Sequence, residues 1–160
     1  MMKSSVEKNR GFTLLEMLVV VLIIGILSTL SLVTYNKVNR QNRDSTRVSD
    51  ISQLQVALAA YKRDLNVYPS VITAGQEIRG TGSSTTTLYM AKVPTPPTPS
   101  DGSCGSYPLY TSYYYLPSSD AKTYCLFFCL GGATSDLAAG AKIAKPSGIV
   151  DGALGINQCY

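Results

Sequence analysis

The fold of this 160-residue chain is decided by a stretch that begins Arg10-Gly11-Phe12-Thr13-Leu14-Leu15-Glu16 and then runs almost wholly apolar to Val33. The 22 residues from Phe12 to Val33 would rise about 33 Å as a helix, which is enough to cross a hydrocarbon core of about 30 Å. Glu16 is the one charged residue in this segment. Because an ionised carboxylate in hydrocarbon is costly, such a residue usually has a partner and a function. The stretch predicts a transmembrane helix with a functional acid near its start.

The helical pattern continues beyond the apolar segment. No proline occurs before Pro69, and apolar side chains recur every three or four residues at Val48, Ile51, Leu54, Leu58, Tyr61 and Leu65. This periodicity predicts a single helix from Phe12 to about Leu65, with its second half lying half buried against a globular domain. We assign the charged and polar side chains to the opposite face of that half: Arg43, Asp44, Arg47, Asp50, Gln53, Lys62 and Arg63.

The first half of this helix has no core of its own within the chain, so it must pack against lipid or against copies of itself. Gly25, Ser28, Thr29 and Ser31 form a weak patch there. Glycine lowers helix propensity, and serine and threonine can bond back to helix carbonyls. The patch therefore indicates either local unwinding on assembly or a site of close helix approach, and the sequence leaves both open.

Composition limits the function. After the long helix, roughly 95 residues remain, which suits one small globular domain. The chain contains no histidine, which removes the commonest general base and metal ligand, and we predict no catalytic residue, no cofactor and no enzymatic activity. The net charge of +4 is modest and a dense basic stripe is missing, so nucleic acid is not an expected partner.

The region after Pro69 begins with irregular segments. Residues 80–87 are rich in Gly, Ser and Thr, and they lead into residues 88–90, for which we predict a short helix of one or two turns. Residues 93–100 contain Pro94, Pro96, Pro97 and Pro99. Such a run predicts an extended polyproline II segment that packs on a surface as a stiff connector, with a proline-binding partner as the alternative.

Two strand patterns follow, at residues 112–116 and 123–130, and they predict a β-hairpin with its turn at residues 117–122. Alternation along the second strand places Cys125, Phe127 and Cys129 on one face of the sheet. The other face receives Tyr124, Leu126, Phe128 and Leu130. The tail from Ala133 to Ile156 is small and Gly-rich, with one expected edge strand at residues 141–144.

The four cysteines all lie downstream of the apolar segment, at Cys104, Cys125, Cys129 and Cys159. In an oxidising exterior we expect two disulfides, with a zinc site of four thiolates as the rival interpretation. Cys125 and Cys129 would be about 13 Å apart along a strand, too far for a bond to each other. Their partners are therefore Cys104 and Cys159, in an order that the sequence leaves open.

The string from Gly11 to Glu16, after a short basic leader, resembles the class III signal of type IV pilins and type II secretion pseudopilins. The glycine, the aromatic residue and the glutamate have the spacing of that family and are joined to its hydrophobic helix. The resemblance extends over about residues 8–68, and it includes the helix exit at Tyr61, Tyr68 and Pro69. It implies an α+β, pilin-like fold with one long N-terminal helix on a small antiparallel sheet and a disulfide-bonded C-terminal region.

The resemblance implies processing and assembly. Prepilin peptidase would cut between Gly11 and Phe12, and the new α-amine of Phe12 would be N-methylated. In a fibre, the Glu16 carboxylate could meet that amine on a neighbouring copy, and a buried pair of this kind sets register more than it adds stability. The expected division is a leader at 1–11, a transmembrane half at 12–33, an amphipathic half at 34–66 and a globular domain at 67–160.

Localisation follows from the same resemblance. Basic residues flank the apolar segment on both sides, so the positive-inside tendency does not decide its orientation. The family and the cysteines place the C-terminal domain outside, in a single-pass protein of the cytoplasmic membrane that later enters a surface fibre. The expected partners are copies of the chain, prepilin peptidase, the pilus or secretion assembly platform, and membrane lipid before assembly.

Two other interpretations remain beside that of a pilin. A pseudopilin of a type II secretion system is favoured by Tyr68-Pro69 and by the missing helix proline. A fibre-borne module for DNA or glycans would use the concentration of tyrosines at Tyr107, Tyr110, Tyr113, Tyr114, Tyr115 and Tyr124. Major pseudopilins bind calcium in C-terminal loops, but a D-x-D-x-D-G pattern is missing here, so we assign no metal.

Overall fold

A computed structural model describes residues 11–82, 86–102, 104, 112–134 and 136–152 of the chain. It divides into two compact units, one ending at Val38 and the other beginning at Asn39. The described residues form one helix, α1 at Leu14–Leu65, followed by strands β1 at Ile78–Thr81, β2 at Thr86–Met90, β3 at Tyr114–Pro117, β4 at Tyr124–Leu130, β5 at Gly140–Lys145 and β6 at Gly148–Asp151. The predicted α+β class with one long N-terminal helix is confirmed.

The first unit consists of the N-terminal part of α1. Thr13 caps the helix, since its Oγ1 accepts the backbone N–H of Glu16 at 3.2 Å. The large apolar side chains from Leu14 to Leu27 are 43% to 84% exposed. The most apolar 18-residue window of the helix has a mean hydropathy of 2.7, and none of it is buried. By length and composition, α1 could cross a membrane.

The second unit holds the core. Ile51, Leu54 and Leu58 on α1 are fully buried, and they share one cluster with the side chains that β4 directs to the same side: Tyr124, Leu126, Phe128 and Leu130. This is the apolar helix face that the sequence predicts, and its burial is confirmed. Burying each of these side chains is worth about 1.5–3 kcal/mol, so the cluster fixes the second half of the helix on the sheet.

The main sheet is antiparallel, with strand order β3-β4-β5-β6. β3 and β4 form the predicted hairpin, with Tyr114 opposite Phe127 and Pro117 opposite Tyr124. Its turn is closed by the Ser118 N–H, which donates to the carbonyl of Thr123 at 3.0 Å. The face of β4 away from the first cluster carries Cys125, Phe127 and Cys129. The predicted alternation along β4 is confirmed.

Two expectations for local structure are wrong. Residues 88–90 are not helical, because they belong to β2, which pairs antiparallel with β1. Residues 141–144 are not an edge strand, because β5 pairs with β4 on one side and with β6 on the other. In both places a short partner strand, β1 or β6, supplies the ladder hydrogen bonds. Each of these partner strands has only four residues, which is too few for the sequence periodicity to reveal it.

Gly80 explains how β1 can lie against the helix. A Cβ atom at this position would overlap Leu65 Cδ1 and would lie 2.9 Å from Tyr61 Cε2. Any side chain would push β1 away from the last turns of α1. The glycine in this Ser/Thr-rich stretch therefore marks close packing of a strand on the helix.

Candidate assembly site and the buried ion cluster

The residues of the predicted processing and assembly site lie together at the start of α1. Gly11 and Phe12 precede the helix, Phe12 is 74% exposed, and Glu16 lies exposed in the first turn. A Cβ atom added at Gly11 would meet nothing within 4 Å. The peptide between Gly11 and Phe12 is thus open to another protein.

Glu16 stands among aliphatic neighbours. Within the residues that the structure describes, its carboxylate has no ion-pair partner, and Leu14, Leu15 and Met17 beside it are exposed. Its own backbone N–H donates to Thr13 Oγ1, so this donor is satisfied without the Glu16 side chain. The carboxylate is therefore available to a cation supplied from outside the described part of the chain.

A second feature lies on the second unit and was not foreseen. Arg43, Asp44, Arg47 and Asp101 form a group of charges that we call the buried ion cluster. The side chains of Asp44 and Arg47 are 0% and 4% exposed, and Arg47 Nη1 donates to Asp44 Oδ1 at 2.6 Å. Assigning these two residues to the charged face opposite the core was wrong. They can be buried because each neutralises the other and both make further hydrogen bonds.

Asp44 holds a distant loop through its carboxylate. Besides Arg47, its Oδ1 accepts the backbone N–H of Gly131 at 2.9 Å, and its Oδ2 accepts that of Gly132 at 2.8 Å. Both amides follow the end of β4, where the strand ladder no longer supplies acceptors. The helix thereby satisfies two backbone donors of the loop that leaves the sheet.

Arg47 holds the proline-rich segment. Its Nη2 donates to the carbonyl oxygens of Pro97 at 2.9 Å and Pro99 at 3.2 Å, and its Nη1 approaches Asp101 Oδ2 at 3.4 Å. Residues 92–97 have no regular secondary structure, and Val93 is 2% exposed. The segment packs on the second unit and ends at the Arg47 guanidinium, which supplies donors to two of its backbone carbonyls.

Asp101 links the cluster to a cysteine loop. Arg43 binds it with two hydrogen bonds, from Nε to Oδ2 at 2.8 Å and from Nη2 to Oδ1 at 2.6 Å. These bonds lower the pKa of the Asp101 carboxyl below its ordinary value, with Arg47 adding to the effect. A Cβ atom at Gly131 would overlap Asp101, so the two loops touch where only glycine fits.

The disulfide closes the same region. Cys104 is bonded to Cys129, with Cα atoms 5.7 Å apart, and the Cys104 N–H donates to the carbonyl of Asp101 at 3.1 Å. Cys125 also takes part in a disulfide, whereas Cys159 lies outside the described residues. The prediction of a disulfide-bonded C-terminal region is confirmed. Within the described residues, no group of three or more Cys, Asp or Glu side chains could hold a metal ion.

Most of the described tyrosines belong to the core. Tyr113 and Tyr124 are 8% and 2% exposed, the Tyr113 hydroxyl donates to Asp50 Oδ2 at 2.7 Å, and that of Tyr115 donates to the carbonyl of Pro69 at 2.7 Å. Burial raises the pKa of Tyr124 to about 12. Tyr114 is 39% exposed, and Tyr107 and Tyr110 lie outside the described residues. The rings of Tyr113 and Tyr124 are not accessible for stacking on a base or a sugar.

The long N-terminal helix, the antiparallel sheets and the disulfide define a pilin-like layout. Over residues 7–32 the chain matches the family model of the prokaryotic N-terminal methylation motif. This motif is the class III signal of type IV pilins and pseudopilins, and it supports a precursor that is similar to those proteins. Comparison with curated proteins and with solved structures gave no match.

The motif also bears on processing and on location. It implies processing by prepilin peptidase and participation in pilus-type assembly. The apolar helix and the motif together fit insertion into a membrane followed by presentation in a surface filament. The resemblance drawn from Gly11 to Glu16 is thereby confirmed.

Proposed function

We propose that this protein is a pilin, a structural subunit that polymerises through its N-terminal helix into an extracellular type IV pilus-like fibre. In this proposal prepilin peptidase removes residues 1–11, residues 12–33 hold the subunit in the cytoplasmic membrane, and residues 34–66 and 67–160 form the amphipathic helix and the globular domain. The observation that carries the proposal is the methylation motif at residues 7–32, on a helix whose apolar side chains are exposed.

Glu16 is the residue that we assign to assembly. After cleavage, Phe12 bears a free α-amine, which is to be N-methylated, one helical turn before the carboxylate of Glu16. In a fibre the amine of one copy meets the carboxylate of the next, so that two unpaired charges in an apolar environment become one ion pair. Losing one partner of such a pair costs about 3–5 kcal/mol, because the other charge stays buried and unpaired.

The test is filament formation by a Glu16→Ala variant in cells that carry the assembly machinery. We expect normal cleavage and a mature N-terminus at Phe12 by mass spectrometry, together with few or no sheared surface filaments by electron microscopy. Glu77→Ala is the matched control, because it removes a different glutamate, one that is exposed and paired with Arg79 on the second unit. Wild-type filament yield from Glu16→Ala would refute the ion-pair assignment.

A pseudopilin of a type II secretion system is the second candidate. Tyr68-Pro69, which resembles the helix exit of major pseudopilins, and the absence of a proline before Pro69 favour it. Tyr68 is 8% exposed, and its ring packs edge-on against Tyr124 with centroids 4.8 Å apart. The helix exit is therefore a fixed part of the core. Deleting the gene would abolish surface filaments if the protein is a pilin, and would abolish export of folded enzymes if it is a pseudopilin.

A further inference from the structure

Arg40 differs from the other arginines that the structure describes because it has no acidic partner. Each of the others forms a salt bridge with an Asp or a Glu: Arg43, Arg47, Arg63 and Arg79. Arg40 forms none with any described residue, and its Nε atom is buried without a hydrogen-bond partner. A charge that is partly removed from water is stable only when an opposite charge or hydrogen bonds compensate it. Arg40 is therefore open to an anion from outside the described part of the chain.

The nearest acid on the same helix is already engaged. Asp44 lies one turn after Arg40, at a spacing that usually allows a helical ion pair. Its Oδ1 accepts hydrogen bonds from Arg47 and Gly131, and its Oδ2 accepts the Gly132 N–H. Residues 17–43 contain neither Asp nor Glu, so the helix before Arg40 supplies no alternative. The charge of Arg40 is thus left uncompensated by its own helix.

The guanidinium of Arg40 is held against the loop that follows β4. A Cβ atom added at Gly132 would lie 3.1 Å from Arg40 Nε and 3.5 Å from Arg40 Nη2, so the glycine permits this close approach. The Gly132 amide is fixed in turn by Asp44. Arg40 as a whole is only half-buried, which leaves part of the residue accessible to a ligand. A side chain that is already held in place loses less conformational entropy on binding, so this contact prepares Arg40 for an anion.

The residues before Arg40 indicate which anion lies nearby. The apolar segment ends at Val33, and Tyr35 and Lys37 follow it with exposed side chains. Tyrosine and basic residues in this order are typical of the interface between hydrocarbon and water. Arg40 comes about two helical turns after Val33, and a long arginine side chain can reach back toward a headgroup layer that is about 5–7 Å deep. The phosphate of a lipid headgroup is therefore the anion within reach of Arg40.

We propose that Arg40, packed on Gly132, binds the phosphate group of a membrane lipid while the subunit is in the membrane. The inference rests on the proposed function, because it takes residues 12–33 as the membrane segment. The planar guanidinium can donate to two phosphate oxygens at once. Free phosphate has the same chemistry, but acyl chains hold the lipid at the depth of the interface, so its effective concentration there is far higher. The contact is lost when the subunit leaves the bilayer for the fibre.

Native mass spectrometry of the full-length chain in detergent, titrated with phosphatidylglycerol, tests the site through Arg40→Gln. Glutamine removes the charge and keeps a polar side chain of high helix propensity. Lys37→Gln is the matched control, because it removes the same charge three positions earlier, from an exposed lysine. We expect the affinity for the lipid to fall at least about tenfold for Arg40→Gln, since charge-assisted hydrogen bonds are lost, and to change less than about twofold for Lys37→Gln.

Several results would overturn the proposal. If the wild-type chain retains no lipid, or if both variants weaken binding equally, Arg40 forms no specific site. If inorganic phosphate at equal concentration displaces the lipid, the occupant is free phosphate. If the urea midpoint of Arg40→Gln falls below that of Lys37→Gln, Arg40 has a partner within the chain. All these measurements use the unassembled subunit, so a wild-type protein that forms no filament refutes the proposed function separately from the lipid site.

Discussion

The carboxylate of Asp44 on the helix accepts the backbone N–H of Gly131 at 2.9 Å, although the two residues are 87 positions apart in the chain. Asp44 also binds Gly132 and Arg47, so a fully buried acid joins α1, the loop after β4 and, through Arg47, the proline-rich segment. The buried ion cluster therefore fixes the loop after β4 and the end of the proline-rich segment, in addition to the core contact that Val93 makes.

Asp44→Ala should lower the free energy of unfolding of the second unit by about 3–5 kcal/mol. The substitution removes one partner of a buried ion pair and leaves two glycine N–H groups without an acceptor. Near-UV circular dichroism of the tyrosines during urea unfolding, with the full chain in detergent, measures the change. Ser45→Ala is the control, because Ser45 is the exposed neighbour on the same helix. Equal stability of the two variants would contradict the role of Asp44.

Asp101→Asn should change the pH dependence of stability. The arginine partners lower the pKa of Asp101 in the folded state, so its contribution is present above the unfolded pKa of about 3.9 and is lost as pH falls through the lower folded value. At pH 7 we expect the variant to be less stable by about 1.5–3 kcal/mol, since hydrogen bonds to a charged acceptor are lost. Below about pH 4 the difference from wild type should shrink.

The pKa of Asp50 shifts in the opposite direction from that of Asp101, so its effect on the pH dependence of stability must be considered. Burial raises the pKa of Asp50, so that group adds stability as pH falls in both proteins and cancels in the difference. Asp136→Asn neutralises an exposed aspartate and serves as the control. A gap between wild type and Asp101→Asn that stays constant from pH 7 to pH 2.5 would contradict the assignment.

Replacing both Cys104 and Cys129 by serine should destabilise the second unit by about 3 kcal/mol, the value expected for a closed loop of this length. The buried ion cluster closes the same loop, through Asp101 near one cysteine and Gly131 near the other. Removing the disulfide together with the Asp44 carboxylate should therefore cost more than the two separate effects combined. Urea titrations of the four proteins in this cycle measure the coupling, and strict additivity would show that the two constraints act independently.

Gly11→Val should leave uncut precursor in the membrane. A glycine lets the backbone enter a peptidase active site closely, and a β-branched side chain next to the scissile bond blocks that approach. The mass of the membrane-bound protein, measured after extraction, distinguishes the precursor from a chain that begins at Phe12. Asn9→Val, which adds the same side chain two residues earlier in the leader, should be cut normally. Full processing of Gly11→Val would rule out the assigned cleavage site.

The sequence by itself determined the features that depend on neighbouring residues. The motif from Gly11 to Glu16 and the helix to Leu65 follow from local composition and a 3.6-residue period, and the hairpin of β3 and β4 follows from alternation. The two faces of β4 were predictable for the same reason, because successive strand residues point to opposite sides.

Only the tertiary structure decided which charged residues are buried and which elements meet. Asp44 and Arg47 looked like solvated helix residues, and an Asp followed three positions later by an Arg was the only local signal of a pair. Their burial depends on Asp101, Pro97 and Gly131, which lie far along the chain. The pairing of Cys104 with Cys129 and the interior place of β5 are likewise long-range relationships. A buried charge is stable only where its partners converge, and that convergence exists only in the folded chain.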